Sequence, residues 1–469
     1  MDMASLGFAH GVHPPDSKEL TRHLPIRRMP FPEEVVLPLR QHAGKPAIPR
    51  VRPGDRVQRG DCIADADGFV SAPVHASAAG TVIDIPLWPH PDGTMSPAIR
   101  IRVARHSAQV PRPRMVPEWE QLSRDGIVKA VQDGGVVGLG GAAFPTHVKL
   151  APPAEFPVTT IILNGAECEP YLTTDHRIMV EYPGRVYTGL RIMMRTLGAT
   201  KAVIGVEKNK PDAVAALMAA RPTDIDVTVL PMTVKYPQGA EKMLIHAVTG
   251  REVPSGKLPV SLGVVVQNVG SAASIAEIFE TGLPLVERIV TVSGRGVKNP
   301  ANLIVPVGTK LSDLLAMCGG VTADATEIVF GGPMMGLSQA SLDVPILKGT
   351  TGVVVLTRKD TDARVAYPCI HCGSCLDACP MFLNPQALGE LARAQRYEEM
   401  QALHLSDCML CGSCSYVCPS AIPLAQLFQL SKLALRRNIP SQPAQPVTPT
   451  APVSPSLPAA PAAAKVGAA

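Results

Sequence analysis

Two runs near the C-terminus carry the chemistry of this chain. They are Cys369-Ile-His-Cys372-Gly-Ser-Cys375-Leu-Asp-Ala-Cys379-Pro380 and Cys408-Met-Leu-Cys411-Gly-Ser-Cys414-Ser-Tyr-Val-Cys418-Pro419. They hold eight of the eleven cysteines, each copy spaced C-x2-C-x2-C-x3-C-P. Three cysteines at two-residue gaps wrap a loop around one face of a [4Fe–4S] cubane. The fourth points away and ligates the neighbouring cluster. The spacing therefore predicts one cluster on Cys369, Cys372, Cys375 and Cys418, and a second on Cys408, Cys411, Cys414 and Cys379. The proline after each run ends the turn without leaving an N–H to satisfy. Paired one-electron centres imply that the chain moves electrons.

Other uses of these thiols fit less well. Disulfides need an oxidising compartment, and no secretory signal is read at the N-terminus. Structural zinc favours paired C-x2-C knuckles over four-cysteine runs closed by proline. His371 reads as a solvated loop residue, since four thiolates already fill the site. Reduced thiols point to the cytoplasm.

The 469 residues predict three or four domains. A net charge of +4 gives no support for nucleic-acid binding. No apolar run approaches the ~20 residues that span a bilayer; those at 260–266 and 353–356 are strand-length. The chain is expected to be soluble by itself or to reach a membrane through partners.

Several elements must position the redox groups. Val51-Arg-Pro-Gly-Asp-Arg-Val57 and Gly80-Thr-Val-Ile-Asp-Ile85 read as short strands cut by turns, in the style of a barrel-sandwich hairpin. The hairpin tip, Ala72-Pro73-Val74-His75-Ala76, has no lysine for a swinging arm, so a structural barrel is the better reading. Residues 125–285 alternate strands (158–164, 202–206, 226–230) with helices (127–132, 212–220, 239–248), which predicts a covered parallel sheet. Strands at 289–293 and 303–307 with a helix at 311–317 suggest a small β-grasp module. Helices are expected at 385–404, as a pair or one broken helix, and at 424–437. The stretch 440–469, rich in Pro and Ala, reads as an extended tail.

A second candidate site lies upstream. Gly134-Gly135-Val-Val-Gly138-Leu139-Gly140-Gly141-Ala142-Ala143-Phe144-Pro145-Thr146-His147-Val148-Lys149 combines glycines with a cation, as a phosphate-cradling loop would. It departs from the Rossmann fingerprint, and a glycine-rich packing turn reads as well. Asn164-Gly-Ala-Glu-Cys-Glu169 and Gly205-Val-Glu207-Lys-Asn-Lys210 place polar clusters at strand ends, where α/β sheets bind ligands. Solvated turns are the alternative.

The motifs G-L-G-G-A-A-F-P-T-H-V-K, N-G-A-E-C-E-P-Y-L-T and K-Y-P-Q-G-A-E-K resemble the flavin- and NADH-binding subunit of respiratory complex I. They resemble still more closely the C subunit of the ion-translocating NADH:ferredoxin oxidoreductase (Rnf) complex. Gly11-Val-His-Pro-Pro15, Gln41-His-Ala-Gly44, Asn268-Val-Gly-Ser271 and Gly331-Gly-Pro-Met-Met-Gly336 extend the match over residues 7–435. Ala143 stands where the family usually has glycine. Leu139 and Ala166 replace an arginine and an acid of the complex I relative.

The resemblance implies FMN against Gly138, Gly140 and Gly141, with Lys149 and Asn164 near its phosphate and ring and Asn268 close by. Phe144 would stack near the nicotinamide, and Glu169 and Glu207 would contact NADH. No side chain need act as acid or base. The implied fold is multidomain α/β. An N-terminal barrel-sandwich β domain (1–120) precedes an α/β flavin-nucleotide domain with a parallel sheet (121–285). A small β-grasp, soluble-ligand-binding domain (286–340) and a C-terminal α-helical two-[4Fe–4S] ferredoxin-like domain (360–437) follow, then the tail (440–469).

The implied function is that of a peripheral subunit on the cytoplasmic side of the inner membrane. It would pass electrons between NADH and a ferredoxin-type carrier through FMN and two [4Fe–4S] clusters, with ion translocation in partner subunits. A soluble NADH-dependent reductase of the cobalamin-reductase type and a non-enzymatic iron–sulfur relay are the alternatives.

Overall fold

A computed structural model describes residues 7–111, 118–361 and 365–437. The tail expected over 440–469 lies outside them. The first layer is antiparallel: β1 (Glu34–Pro38), β2 (Gly80–Asp84) and β3 (Met95–Val103), with β3 between the other two. From Ile99 to Val103 residues alternate in and out along β3, and Ile99 and Ile101 join Val35, Leu37, Ile63, Val74 and Val82 in one core. Ala72, Val74 and Ala76 at the hairpin tip are buried, so this tip is a packing surface and not a carrier arm.

The central domain opens with α1 (Arg124–Asp133), capped by the Ser123 hydroxyl, and α2 (Thr146–Leu150). Then follow β4 (Thr160–Gly165), α3 (Thr174–Glu181), α4 (Pro183–Leu197), β5 (Lys201–Glu207) and α5 (Pro211–Ala219). β6 (Val227–Met232), α6 (Glu241–Thr249), β7 (Val264–Asn268) and α7 (Val269–Thr281) complete it. The strands are parallel in the order β6-β5-β4-β7. Both faces are covered: Ile161 and Leu163 pack toward α1, α4 and α7, while Ile162 turns to Leu244 and Ile245 of α6. This is why the strands read as unbroken apolar runs. Gly189 lets α4 cross α7 closely, since a Cβ there would lie 1.9 Å from the Ala272 carbonyl oxygen.

A third unit is built on β8 (Glu287–Ser293), β9 (Ala301–Pro306), α8 (Leu311–Met317), β10 (Ala325–Phe330) and β11 (Gly352–Thr357). Its sheet takes in the N-terminal strand Ile26–Arg28, which runs parallel to β9. The last unit is helical: α9 (Ser374–Asp377), α10 (Pro385–Arg393), α11 (Tyr397–Ala402), α12 (Ser413–Tyr416) and α13 (Leu424–Arg436). Leu388, Met400, Leu424 and Phe428 hold α10, α11 and α13 together. Among the described residues no helix is long and apolar enough to cross a membrane.

Candidate functional site

The two cysteine runs fold as copies of one another. Left-handed backbone recurs at matched positions: His371 (φ 55°) and Leu410 (φ 57°), Gly373 and Gly412 (both φ 80°), Phe382 (φ 53°) and Ala421 (φ 50°). Each third cysteine lies within a one-turn helix, α9 or α12. Cys408, Cys411 and Cys414 ring one cavity with Cys379, and Cys369, Cys372 and Cys375 ring another with Cys418. The fold thus brings together the exchanged sets expected from the spacing. Among the described residues no group of three or more His, Cys, Asp or Glu is placed to hold a single metal ion. The donor chemistry suits a cubane: four thiols to each cavity, with the His371 N–H directed at Cys369 Sγ (3.4 Å) and the Ile422 N–H at Cys418 Sγ (3.5 Å). His371 is exposed in its loop. The cavities differ in depth: Cys379, Cys411 and Cys414 are buried, whereas Cys372 is exposed.

The second site forms where the parallel sheet changes direction. β5 and β6 lie on one side of β4 and β7 on the other, so β4 and β7 flank the switch point. Asn164 is next to last in β4 and Asn268 ends β7, and the two are register partners. Glu207 ends β5 beside them. The Asn268 side chain caps α7, accepting from the Gly270 N–H (2.8 Å) and the Ser271 N–H (3.3 Å). The glycine loop arches over this end. Gly138 N–H donates to the Phe144 carbonyl (2.7 Å), and Leu139 N–H to Ser271 Oγ (2.9 Å). A Cβ on Gly140 would sit 3.4 Å from Asn268 Nδ2. At the exposed tip the N–H groups of Gly140, Gly141 and Ala142 make no hydrogen bond among the described residues. Free amides above a helix N-terminus fit a phosphate-bearing ligand such as FMN.

The other expected residues are placed less uniformly. Lys149, on α2, pairs with Glu241 (2.6 Å) and donates to the Val266 carbonyl (3.1 Å). Asn164 donates to the Gly239 carbonyl (2.7 Å) and accepts from the Ala166 N–H (3.0 Å), so its amide ties the end of β4 to the loop before α6. Phe144 is half-buried at the base of the glycine loop. Glu207 is engaged by Lys210 in a buried pair at 2.6 Å. Glu169 accepts from the Met334 N–H (3.1 Å), and burial pushes its carboxyl up to about 7.

Two residues that carry the site, Asp175 and Arg288, lie outside the motifs, and a third, Tyr236, lies within K-Y-P-Q-G-A-E-K but was given no role there. Asp175, at the start of α3, accepts from Asn268 Nδ2 (2.6 Å). Burial, with Glu167 next to it, pushes its carboxyl up to about 7. Arg288 of β8 is buried and donates to the Leu139 carbonyl (2.6 Å). Tyr236 links the two redox regions: its hydroxyl donates to the Cys411 carbonyl (2.7 Å). It packs with Val12, Cys168, Met334 and Cys411 in one apolar cluster. Gly412 fits there because a Cβ would meet the Met334 carbonyl oxygen at 2.6 Å. Asn268 followed by Ala272, Ile275 and Ala276 at helical spacing is the signal that would have revealed α7 and its cap.

Fold and site together define an electron-transfer protein that joins a doubly covered α/β ligand domain to a paired cysteine relay. The matching family models are the RnfC barrel sandwich hybrid domain (residues 6–105), the Nuo51 FMN-binding domain (131–277), the SLBB domain (289–338) and the 4Fe-4S dicluster domain (368–422). The chain is 46% identical over 393 residues to the C subunit of the proton-translocating ferredoxin:NAD(+) oxidoreductase complex of Clostridium ljungdahlii, covering 84% of this chain and 86% of the relative. It is 43% identical to the Na(+)-translocating counterpart of Acetobacterium woodii (85% and 90% covered). It is 41% identical to the C subunit of the ion-translocating oxidoreductase complex of Rhodobacter capsulatus (92% and 83%). The chain belongs to this RnfC family. An NAD+-reducing [NiFe]-hydrogenase in the air-oxidized state shares the fold with a TM-score of 0.50 at 22% identity, over 71% of this chain and 65% of that one.

Proposed function

We propose that this chain is the NADH-side electron-transfer subunit of a membrane-bound, ion-translocating oxidoreductase. It passes electrons between NADH and a ferredoxin-type carrier through FMN and two [4Fe–4S] clusters. FMN, when bound, supplies the conversion of a two-electron hydride into single electrons. The chain's own residues bind and orient. Gly138, Gly140 and Gly141 offer backbone to the phosphate, and Lys149, Asn164 and Asn268 surround phosphate and ring. Phe144 lies toward the nicotinamide, and Glu169 and Glu207 toward NADH. Cys379, Cys408, Cys411 and Cys414 hold the cluster nearer the flavin domain, and Cys369, Cys372, Cys375 and Cys418 the outer one. The carrying observation is the junction at Tyr236 and Met334, which joins the buried thiol ring to the flavin domain and leaves Cys372 at the surface. With FMN and both clusters bound, the buried thiol ring would lie between the flavin domain and the ring that holds the exposed Cys372, an order that would let single electrons pass to a partner or back. The chain sits on the cytoplasmic face of the inner membrane through its partner subunits.

Anaerobic purification, a visible spectrum and addition of NADH test this. Flavin and cluster absorbance that bleach together are expected. Cluster absorbance with no flavin and no response contradicts the proposal and supports a bare relay. Full activity in a chain that never associates with membrane subunits supports a soluble reductase instead.

A further inference from the structure

The glycine loop must hold still against its ligand, yet its own domain supplies only part of the restraint. The inner contacts include the Val137–Pro145 bridge, the Gly138–Phe144 hydrogen bond, the Ala143 N–H to the Gly138 carbonyl (3.2 Å), the Thr146 N–H to the Val136 carbonyl (3.1 Å) and Ser271. Others come from neighbouring domains. Arg288 of β8, 2% exposed, donates through Nη2 to the Leu139 carbonyl (2.6 Å) and through Nε to the Thr350 carbonyl (3.0 Å). Lys348, 1% exposed, donates through Nζ to the Gly135 carbonyl (2.8 Å) and to the Pro73 carbonyl of the barrel-sandwich hairpin (2.7 Å). Between them Gly349 rests on the loop: a Cβ there would lie 2.8 Å from Ala143 Cβ. On the far side the Ala43 N–H donates to the Ala143 carbonyl (3.1 Å).

Burying the Arg288 guanidinium, with a Lys348 amine that burial pulls down to about 7, to hold four carbonyls is costly in desolvation, and neutral donors would serve if satisfying those carbonyls were the only need. A planar guanidinium differs from a neutral donor in two ways. Its fork fixes two acceptors in one geometry, and its charge is held by the buried carboxyls of Asp175 and Glu167, which ties the glycine loop to the start of α3. Lys348 begins the segment 348–350 and Arg288 holds the carbonyl that ends it, so the β-grasp unit grips the loop at two points.

We propose that the β-grasp domain braces the flavin loop, with Arg288 as a positioning residue for flavin retention and the Lys348–Thr350 segment as its backstop. This rests on the FMN reading above. It assigns to the β-grasp unit a role in holding the cofactor's loop.

The test uses the full chain, reconstituted anaerobically, with FMN affinity measured by fluorescence quenching and iron and sulfide content as a check on folding. Arg288→Met is expected to weaken FMN binding about 10- to 100-fold, the worth of one charged hydrogen bond, with cluster content unchanged. Arg288→Lys is expected to recover part of the loss. Any remaining flavin-loaded fraction should keep the NADH KM of the wild type. A second pair guards against misfolding: Gly349→Ala should loosen FMN by pressing on Ala143, and Gly349→Ala with Ala143→Gly should restore it. Wild-type FMN affinity in a folded Arg288→Met chain, or no restoration in the double variant, overturns the brace. A wild-type chain with intact clusters that binds no FMN overturns the flavin reading and the brace with it.

Discussion

The two redox regions are assembled on opposite plans. The cysteine relay is written in one stretch, 369–418, and its two halves fold as copies of each other. The flavin region gathers a loop after α1, the ends of β4, β5 and β7, the start of α3 and a buried arginine from β8. A cubane needs four sulfurs around one compact body, which local chain geometry can deliver. A dinucleotide and a flavin span a longer distance, so their contacts must come from several strand ends. Damage to the relay should therefore stay local, whereas damage in the flavin region should spread across domains.

The largest effect outside the thiols is expected at Asn268. Asn268→Ala removes the cap of α7 and leaves the buried Asp175 carboxyl without its donor. Domain stability should fall by about 3 kcal/mol, with FMN lost and iron content kept. Denaturant unfolding and flavin and iron assays check this. Loss of iron together with FMN would break the independence of the two regions.

Asp175 gives a pH test. Its folded-state carboxyl sits at about 7, above its unfolded value, because it is buried beside Glu167. The stability it contributes is fully present below about pH 4 and is lost as pH rises through about 7. Asp175→Asn mimics the protonated form. It should flatten the dependence of Tm over that window and exceed the wild type at pH 8, by on the order of 2 kcal/mol. An unchanged slope would show that this carboxyl titrates normally.

Tyr236→Phe probes the junction. Losing the hydroxyl bond to the Cys411 carbonyl should cost about 1 kcal/mol. It should slow cluster reduction in stopped-flow while flavin bleaching by NADH keeps its rate. Slowing of both steps would place Tyr236 in the flavin site itself.

The smallest effect is expected at Ala143, whose φ of 48° is left-handed without being glycine. Ala143→Gly relieves that strain and is expected to stabilise the loop by up to about 1 kcal/mol, read as slower amide exchange and equal or tighter FMN binding. Weaker binding would mean the methyl is a contact and not a strain.

These differences follow what was legible in the sequence. The exchanged cysteine sets could be written down from spacing, because their ligands lie close in the chain. The strands β4, β5 and β6 were legible as strand runs, and Asn164 and Glu207 were candidates because they lie at the ends of β4 and β5, whereas Asn268 at the end of β7 came from the family resemblance alone. The α3–α4 pair went unread: its Gly, Arg and Met residues mask an amphipathic face that packs on α7. The strand at Ile26–Arg28 was hidden because it pairs with β9, far away in the chain. Arg288 and Lys348 were invisible because a cation inside an apolar strand or a loop reads as solvated until another domain closes over it.

The function proposed here turns on the order of the relay, and two variants probe that order. Cys418→Ser should remove the outer cluster, and Cys379→Ser the one beside Tyr236. Rapid-freeze EPR after mixing with NADH is expected to show the remaining cluster reduced promptly in Cys418→Ser, but slowly or not at all in Cys379→Ser, with the flavin reduced in both. Prompt cluster reduction in Cys379→Ser and none in Cys418→Ser would contradict that order.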